Sequence, residues 1–171
     1  MPTGKNISYG LFMGDLLYAA IVYGIGVNPN QAKFLGVKTV LEIKRMCRSE
    51  PPHKEYPLSR FIAITSRMVS KICPFECLVA FADPEYGHEG TVYKASGFTL
   101  HGKTNSEWHV VDSSGIKRHR RLAYRHAKRN GCSISESRTT LGLTKQKTAP
   151  KYRWVKFNKK GTLSRVPLIT I

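Results

Sequence analysis

Acidic residues are the scarcest class in this chain. Its 171 residues hold 11 Asp and Glu against 28 Lys and Arg, a formal charge of +17. That balance argues against cationic partners and points to a polyanion, most simply nucleic acid. A ribosomal-type basic surface, or charge kept only for solubility, is the plainer alternative. The excess is also uneven: residues 100–171 carry 17 Lys/Arg and 3 acids, whereas residues 1–99 carry 11 and 8. Cysteine is sparse too. Cys47, Cys73, Cys77 and Cys132 form no C-x-x-C pair, and a chain this long has no need of a disulfide framework. They read as reduced and buried, in a cytoplasmic protein. Cys73 and Cys77 could share a metal, but no second ligand pair follows them. Long apolar runs are missing: the stretch from Leu16 to Val27 has 12 residues, is interrupted by Gly24 and Gly26 and has no basic flank. It is too short to span a bilayer and reads as a strand. The P-loop, H-E-x-x-H and G-x-S-x-G patterns are absent as well, so the common nucleotide-hydrolase, zincin and α/β-hydrolase readings lose support.

What remains, with 41% hydrophobic residues, is enough for one domain with a real core. Ser8 to Val27 predicts a β-hairpin turning at Gly14–Asp15. Residues 28–36 predict a loop with a short helical turn. Residues 39–47 fit a strand or a short helix, and 48–57 a proline-rich loop. Residues 58–64 predict a strand and 65–72 a helix capped by Thr65 or Ser66, with Met68, Val69 and Ile72 on its apolar face. Cys77 to Ala82 is a near-continuous apolar strand, as expected when both faces are covered. A helix over 88–96 and a strand from Phe98 complete an α/β unit. Beyond residue 101 a strand and turn are followed by a basic helix over 116–130, closed by Asn130–Gly131, and by a strand over 151–157. The expected organisation is one domain: residues 1–100 carry the core sheet and the site, and residues 101–171 form a basic elaboration.

The segment after Ala82 concentrates candidate chemistry. Asp83 followed by Pro84 is a standard helix start, and equally a carboxylate at a strand end, able to ligate a metal or accept a proton. His88 lies between Gly87 and Gly90, where backbone can approach a ligand. Tyr93 is either core packing or a group that donates a proton or stacks on a base. Ser59 and Arg60 open the 58–64 segment, and Arg60 could hold a phosphate or carboxylate, or pair with Glu42 or Glu55. Lys117, Arg118, Arg120, Arg121, Arg125, Lys128 and Arg129 crowd one short stretch, more than one helix face can hold. Phosphate contact is the simplest account of them. Lys151, Arg153 and Lys156 interleave with Tyr152, Trp154 and Phe157, which fits charge combined with base stacking, or any half-buried strand.

Several stretches carry a family resemblance. ISYGLFMGDLLYAAIVYGIGVNP, YPLSRF, FADPEYGHEGTVYKASGFTLHGKT and PKYRWV together resemble the phage Mom-like DNA adenine-modification proteins, and TVYKASGF is similar to the Y-x-x-x-GF helix end of acetyltransferase-like (GNAT) proteins. The resemblance implies a GNAT-like central mixed sheet flanked by helices. It also implies a carbamoyl-type addition to the exocyclic amine of adenine in double-stranded DNA, protecting it from restriction. It carries over Asp83 and Tyr93 as catalytic-site residues. Iron is the metal it implies, with Asp83 as ligand, and the GNAT kinship implies acyl-CoA. AITSRM stands where a glycine-rich pyrophosphate turn would precede the first helix, although a helix N-terminus still binds anions. The family pattern has a His–Tyr pair upstream of the hairpin, and this chain opens on the hairpin. The expectation is then that the chain is truncated, that the implied site is rewired through His53–Tyr56 or His88, or that the chain is an inactive DNA-binding relative. An acyltransferase acting on a protein or small amine is the remaining reading.

Overall fold

A computed structural model describes residues 6–26, 28–49, 54–119 and 121–158. The hairpin forms as its sequence predicts: β1 (Ile7–Met13) and β2 (Leu16–Gly24) pair antiparallel around Gly14, whose φ of 58° a turn of this kind requires. A short helix, α1 (Gln31–Phe34), precedes β3 (Val40–Arg48), which resolves the 39–47 ambiguity in favour of a strand. α2 (Leu58–Ile72) leads to β4 (Cys77–Ala82), then a 3₁₀ turn (Pro84–Tyr86), α3 (Thr91–Ala95) and β5 (Thr99–Lys103). After an insertion the chain returns as β9 (Tyr152–Phe157). The six strands form one mixed sheet in the order β1-β2-β3-β4-β9-β5, with β3 and β4 parallel. Alternation along β4 divides the core. Leu78, Ala80 and Ala82 pack with Phe61, Ile62 and Val69 of α2, while Cys77 and Val79 pack with Leu35 and Val37 on the other face. The fold is the expected mixed α/β sheet with flanking helices.

Several local expectations are corrected. Residues 58–64 are not a strand but the first half of α2. Phe61, Ile62, Thr65, Ser66 and Val69 are its buried residues, and their spacing is helical. Thr65 and Ser66 do not cap this helix. They lie inside it, donating to Phe61 O at 2.8 Å and Ile62 O at 2.6 Å. The predicted 88–96 helix starts only at Thr91, because Gly87 and Gly90 adopt φ of 71° and 86°. Of the four cysteines, all free, only Cys77 is buried, and Cys47 is exposed because it lies where β3 runs past its cover. The strand over 151–157 does not belong to a C-terminal elaboration: β9 pairs with β4 from Cys77↔Phe157 to Ala82↔Tyr152, and with β5 on its other side.

The chain divides into two compact units. One contains β1–β5 and β9, and the other spans Thr104–Lys151. The second has its own three-stranded sheet of β6 (Trp108–Val111), β7 (Lys117–Arg118) and β8 (Thr144–Lys147), ordered β7-β6-β8. Two helices, α4 (Arg121–Asn130) and α5 (Ile134–Thr140), complete it around Val110, Ala123 and Leu143. The basic helix therefore begins at residue 121, not 116. Asp112 explains why: its Oδ1 accepts from the backbone of Ser114 and Ile116, a turn that sends Lys117 and Arg118 back along β6.

Candidate functional site

In the first unit, β3 and β4 pair over only three positions, Val40↔Cys77 to Glu42↔Val79. β3 then continues on β2 as far as Arg48, and β4 continues on β9 as far as Ala82. The two parallel strands thus part toward their C-terminal ends, the end of an open α/β sheet where ligands bind.

In chain order α2 follows the end of β3, and the 3₁₀ turn and α3 follow the end of β4. Ser59 and Arg60 occupy the first turn of α2, with Arg60 exposed, so the helix N-terminus and its guanidinium together favour an anion. The AITSRM segment, by contrast, is helix interior. Ser96 at the end of α3 donates to Val92 O (2.7 Å) and reaches Ser59 O (3.4 Å), which ties α3 to the start of α2. Lys156 Nζ donates to Ser96 O at 2.7 Å, and burial followed by Arg67 lowers its pKa. Lys156 was legible only as part of an alternating strand; its role in holding α3 needs the fold.

Tyr93 projects from α3 into the core and is 8% exposed, its ring 5.6 Å from Phe98. Burial, with the neighbouring Tyr23 phenol adding to it, pushes its hydroxyl up to about 12. It is therefore a neutral phenol at physiological pH, a donor and not a base. Tyr23 from β2 bonds Thr65 Oγ1 at 2.7 Å and lies edge-on to Tyr9, 6.1 Å between ring centres. The Tyr9 hydroxyl is buried without a hydrogen-bond partner. Sequence reasoning missed Tyr9 and Tyr23 and read Thr65 only as a cap, since the Tyr23–Thr65 bond joins residues 42 apart.

Asp83 ends β4 and caps the 3₁₀ turn, its Oδ1 accepting from Glu85 N at 3.1 Å. Its carbonyl accepts from the backbone of Tyr86 and His88. The His88 side chain is exposed on the loop between the two glycines. Among the described residues no group of three His, Cys, Asp or Glu side chains could hold a metal ion. The donor set around Asp83 does not fit iron, and no chemistry is routed through a metal. His53 of the His53–Tyr56 alternative lies outside the described residues, and Tyr56 is exposed.

β9 departs from its expected role. Trp154 is 8% exposed, held in the core, and a side chain at Gly90 would run into its indole. It is a support for the His88 loop and not a surface on which bases stack. Arg153 lies on the opposite sheet face, 4.6 Å above the Phe34 ring, and burial lowers its pKa. Lys151 is exposed at the edge of the inserted unit.

In that unit Arg121, Arg125, Lys128 and Arg129 are exposed along α4, whose Ala123 and Ala127 face inward. Lys117 and Arg118 are exposed on β7. Arg118 Nε pairs with Asp112 at 2.7 Å, and the backbone N–H of Ile116 and then Arg118 hold the Asp112 carboxyl low. Arg118 therefore closes a hairpin. Arg120 lies outside the described residues.

The match to known proteins fits this geometry. The family model of the Mom proteins covers residues 1–169. The chain belongs to the Mom protein family. A curated relative is the methylcarbamoylase Mom of Escherichia phage Mu, 25% identical over 171 residues, covering 94% of this chain and 68% of that protein. The fold is similar to that of a Bacillus subtilis acetyltransferase solved in complex with CoA, with a TM-score of 0.50 and 10% identity over 89% of this chain and 76% of that one. The mixed α/β fold of this Mom-family chain is thus similar to that of an acetyltransferase. No described helix is long and apolar enough to cross a membrane.

Proposed function

We propose that this Mom-family protein is a phage DNA-modification transferase. It places a carbamoyl- or acyl-type group on N6 of adenine and thereby protects DNA from restriction in the cytoplasm of an infected bacterium. The observation that carries this reading is the family match along the chain, joined to a buried neutral Tyr93 on α3. Adenine N6 is a poor nucleophile, because its lone pair is delocalised into the ring, and it is paired inside the duplex. The base must leave the stack before it can react. N6 then forms a bond to the carbonyl carbon of an activated donor as the bond to the leaving group breaks. Asp83 accepts the proton that N6 sheds, and the Tyr93 phenol gives its proton to the leaving group. An acyl-CoA would supply such a carbonyl as a thioester. The start of α2 with Arg60 suits its phosphates. The exposed cations of α4 hold the DNA backbone, so affinity falls steeply with salt.

The test is to express the chain in bacteria with a plasmid, digest the plasmid to nucleosides and weigh them. A heavier deoxyadenosine, absent with Asp83→Ala, is the expected result, and its mass gives the added group. Unmodified nucleosides from well-expressed, folded protein would overturn the reading. Acyl-CoA binding without a DNA product would then assign a different amine substrate, and DNA binding alone would assign a non-catalytic relative.

A further inference from the structure

The inserted unit contains a groove of about 400 Å³ that the roles above leave unused. β6 supplies Trp108 and β8 supplies Lys145; α4 supplies Arg121 and Tyr124, and α5 supplies Ile134 and Arg138. Strand alternation places Trp108 on the same face as Val110, which packs on Ala123 and Leu143. Trp108 continues that apolar face beyond the cover of the helices and is 57% exposed, and Tyr124 is 55% exposed. Lys145 lies opposite Val110 in the ladder and shares its side. Arg121 and Tyr124 are three apart on α4, and Ile134 and Arg138 four apart on α5, so each pair shares a helix face.

Three cations border this groove and no acid lines it. An apolar peptide would satisfy the aromatic floor and leave the cations without purpose. A duplex surface would satisfy the cations but offer no flat face to the rings, because its bases are stacked on each other. A nucleotide out of the stack satisfies both, with a π-face for the rings and phosphates for the cations.

We propose that this groove holds an unpaired nucleotide of DNA, its base against Trp108 and Tyr124 and its flanking phosphates on Arg121, Arg138 and Lys145. The proposal rests on DNA being the partner of this protein. It adds a second nucleotide site, distinct from that of the reacting adenine, that captures strand freed when the duplex is opened.

The test uses the full chain and a fluorescein-labelled single strand of about eight nucleotides without adenine, beside a duplex of the same length. Anisotropy titrations should show Trp108→Ala and Tyr124→Ala each weakening single-strand binding about tenfold, with duplex binding changed by less than about twofold and Trp108→Phe close to wild type. Arg138→Gln should reduce the single-strand salt slope by about 0.7. Unchanged single-strand binding in both alanine variants would overturn the proposal. Equal losses on single strand and duplex, with the phenylalanine variant intact, would do so too, and so would no single-strand binding by the wild type. Nucleoside masses separate the two readings. Modified deoxyadenosine without an aromatic effect removes the groove and keeps the transferase, and the opposite pair of results does the reverse.

Discussion

Replacing Tyr93 by Phe removes one oxygen atom and leaves the ring packed on Phe98. The wild-type phenol is lifted from an ordinary 10.0 to about 12 by burial, with Tyr23 adding to it. A folded-state value raised in this way gives stability that is complete below the unfolded value and is lost as pH climbs through the folded one. At about pH 11 the unfolded chain has released this proton and the folded chain still holds it, a difference on the order of 1 kcal/mol. Cys77 is also raised by burial, but both proteins retain it and its effect cancels in the comparison; Tyr23 is retained too and differs only by its coupling to Tyr93. Urea unfolding at about pH 8 and about pH 11 should therefore show wild type losing on the order of 1 kcal/mol more than Tyr93→Phe across that interval. Parallel losses would refute a phenol buried in neutral form. At about pH 8 the same variant should keep a near-native midpoint yet lose adenine modification by about a hundredfold or more if the hydroxyl delivers a proton.

Two further perturbations test the scaffold. Gly90→Ala places a side chain against the Trp154 indole at a backbone φ of 86°; it should cost about 2 kcal/mol or more by urea unfolding and reduce modification by displacing the His88 loop. Ser137 is fully buried, donates to Ala123 O at 2.8 Å and meets His126 Nδ1 at 3.0 Å. Ser137→Ala should lower the opening free energy of α4 and α5 by about 1–3 kcal/mol in amide exchange, with β4 and β9 unchanged.

The main features of the fold were legible where one periodicity ruled. The hairpin, the apolar β4 and the Asp83–Pro84 start all form as their residues predict. The first half of α2 was not legible. Its buried face includes Thr65 and Ser66, so the apolar stripe is broken and Leu58–Ile64 resembles a strand. Those hydroxyls are satisfied by their own helix and by Tyr23, a partner no local pattern announces. α5 did leave a signal that went unread: Ser133 and Glu136 form a complete capping box. β8 left none, since its four residues are all exposed and polar. In the site, Asp83 and Tyr93 stand out from sequence because they flank glycines after a strand. Trp154 misleads because alternation cannot distinguish an edge strand from one lying between β4 and β5.

The inserted unit leaves the core at Lys103 and returns at Tyr152, and these two residues are ladder partners. Its entry and exit are thus neighbours, and the whole unit occupies the place of a hairpin turn. A chain in which a turn of about four residues joins Lys103 to Tyr152 would close that ladder with about 2 kcal/mol less loop entropy to overcome. For natural variation the same geometry makes the unit a removable cassette. Different inserts can be exchanged between β5 and β9 without altering one residue of the strands that flank the join.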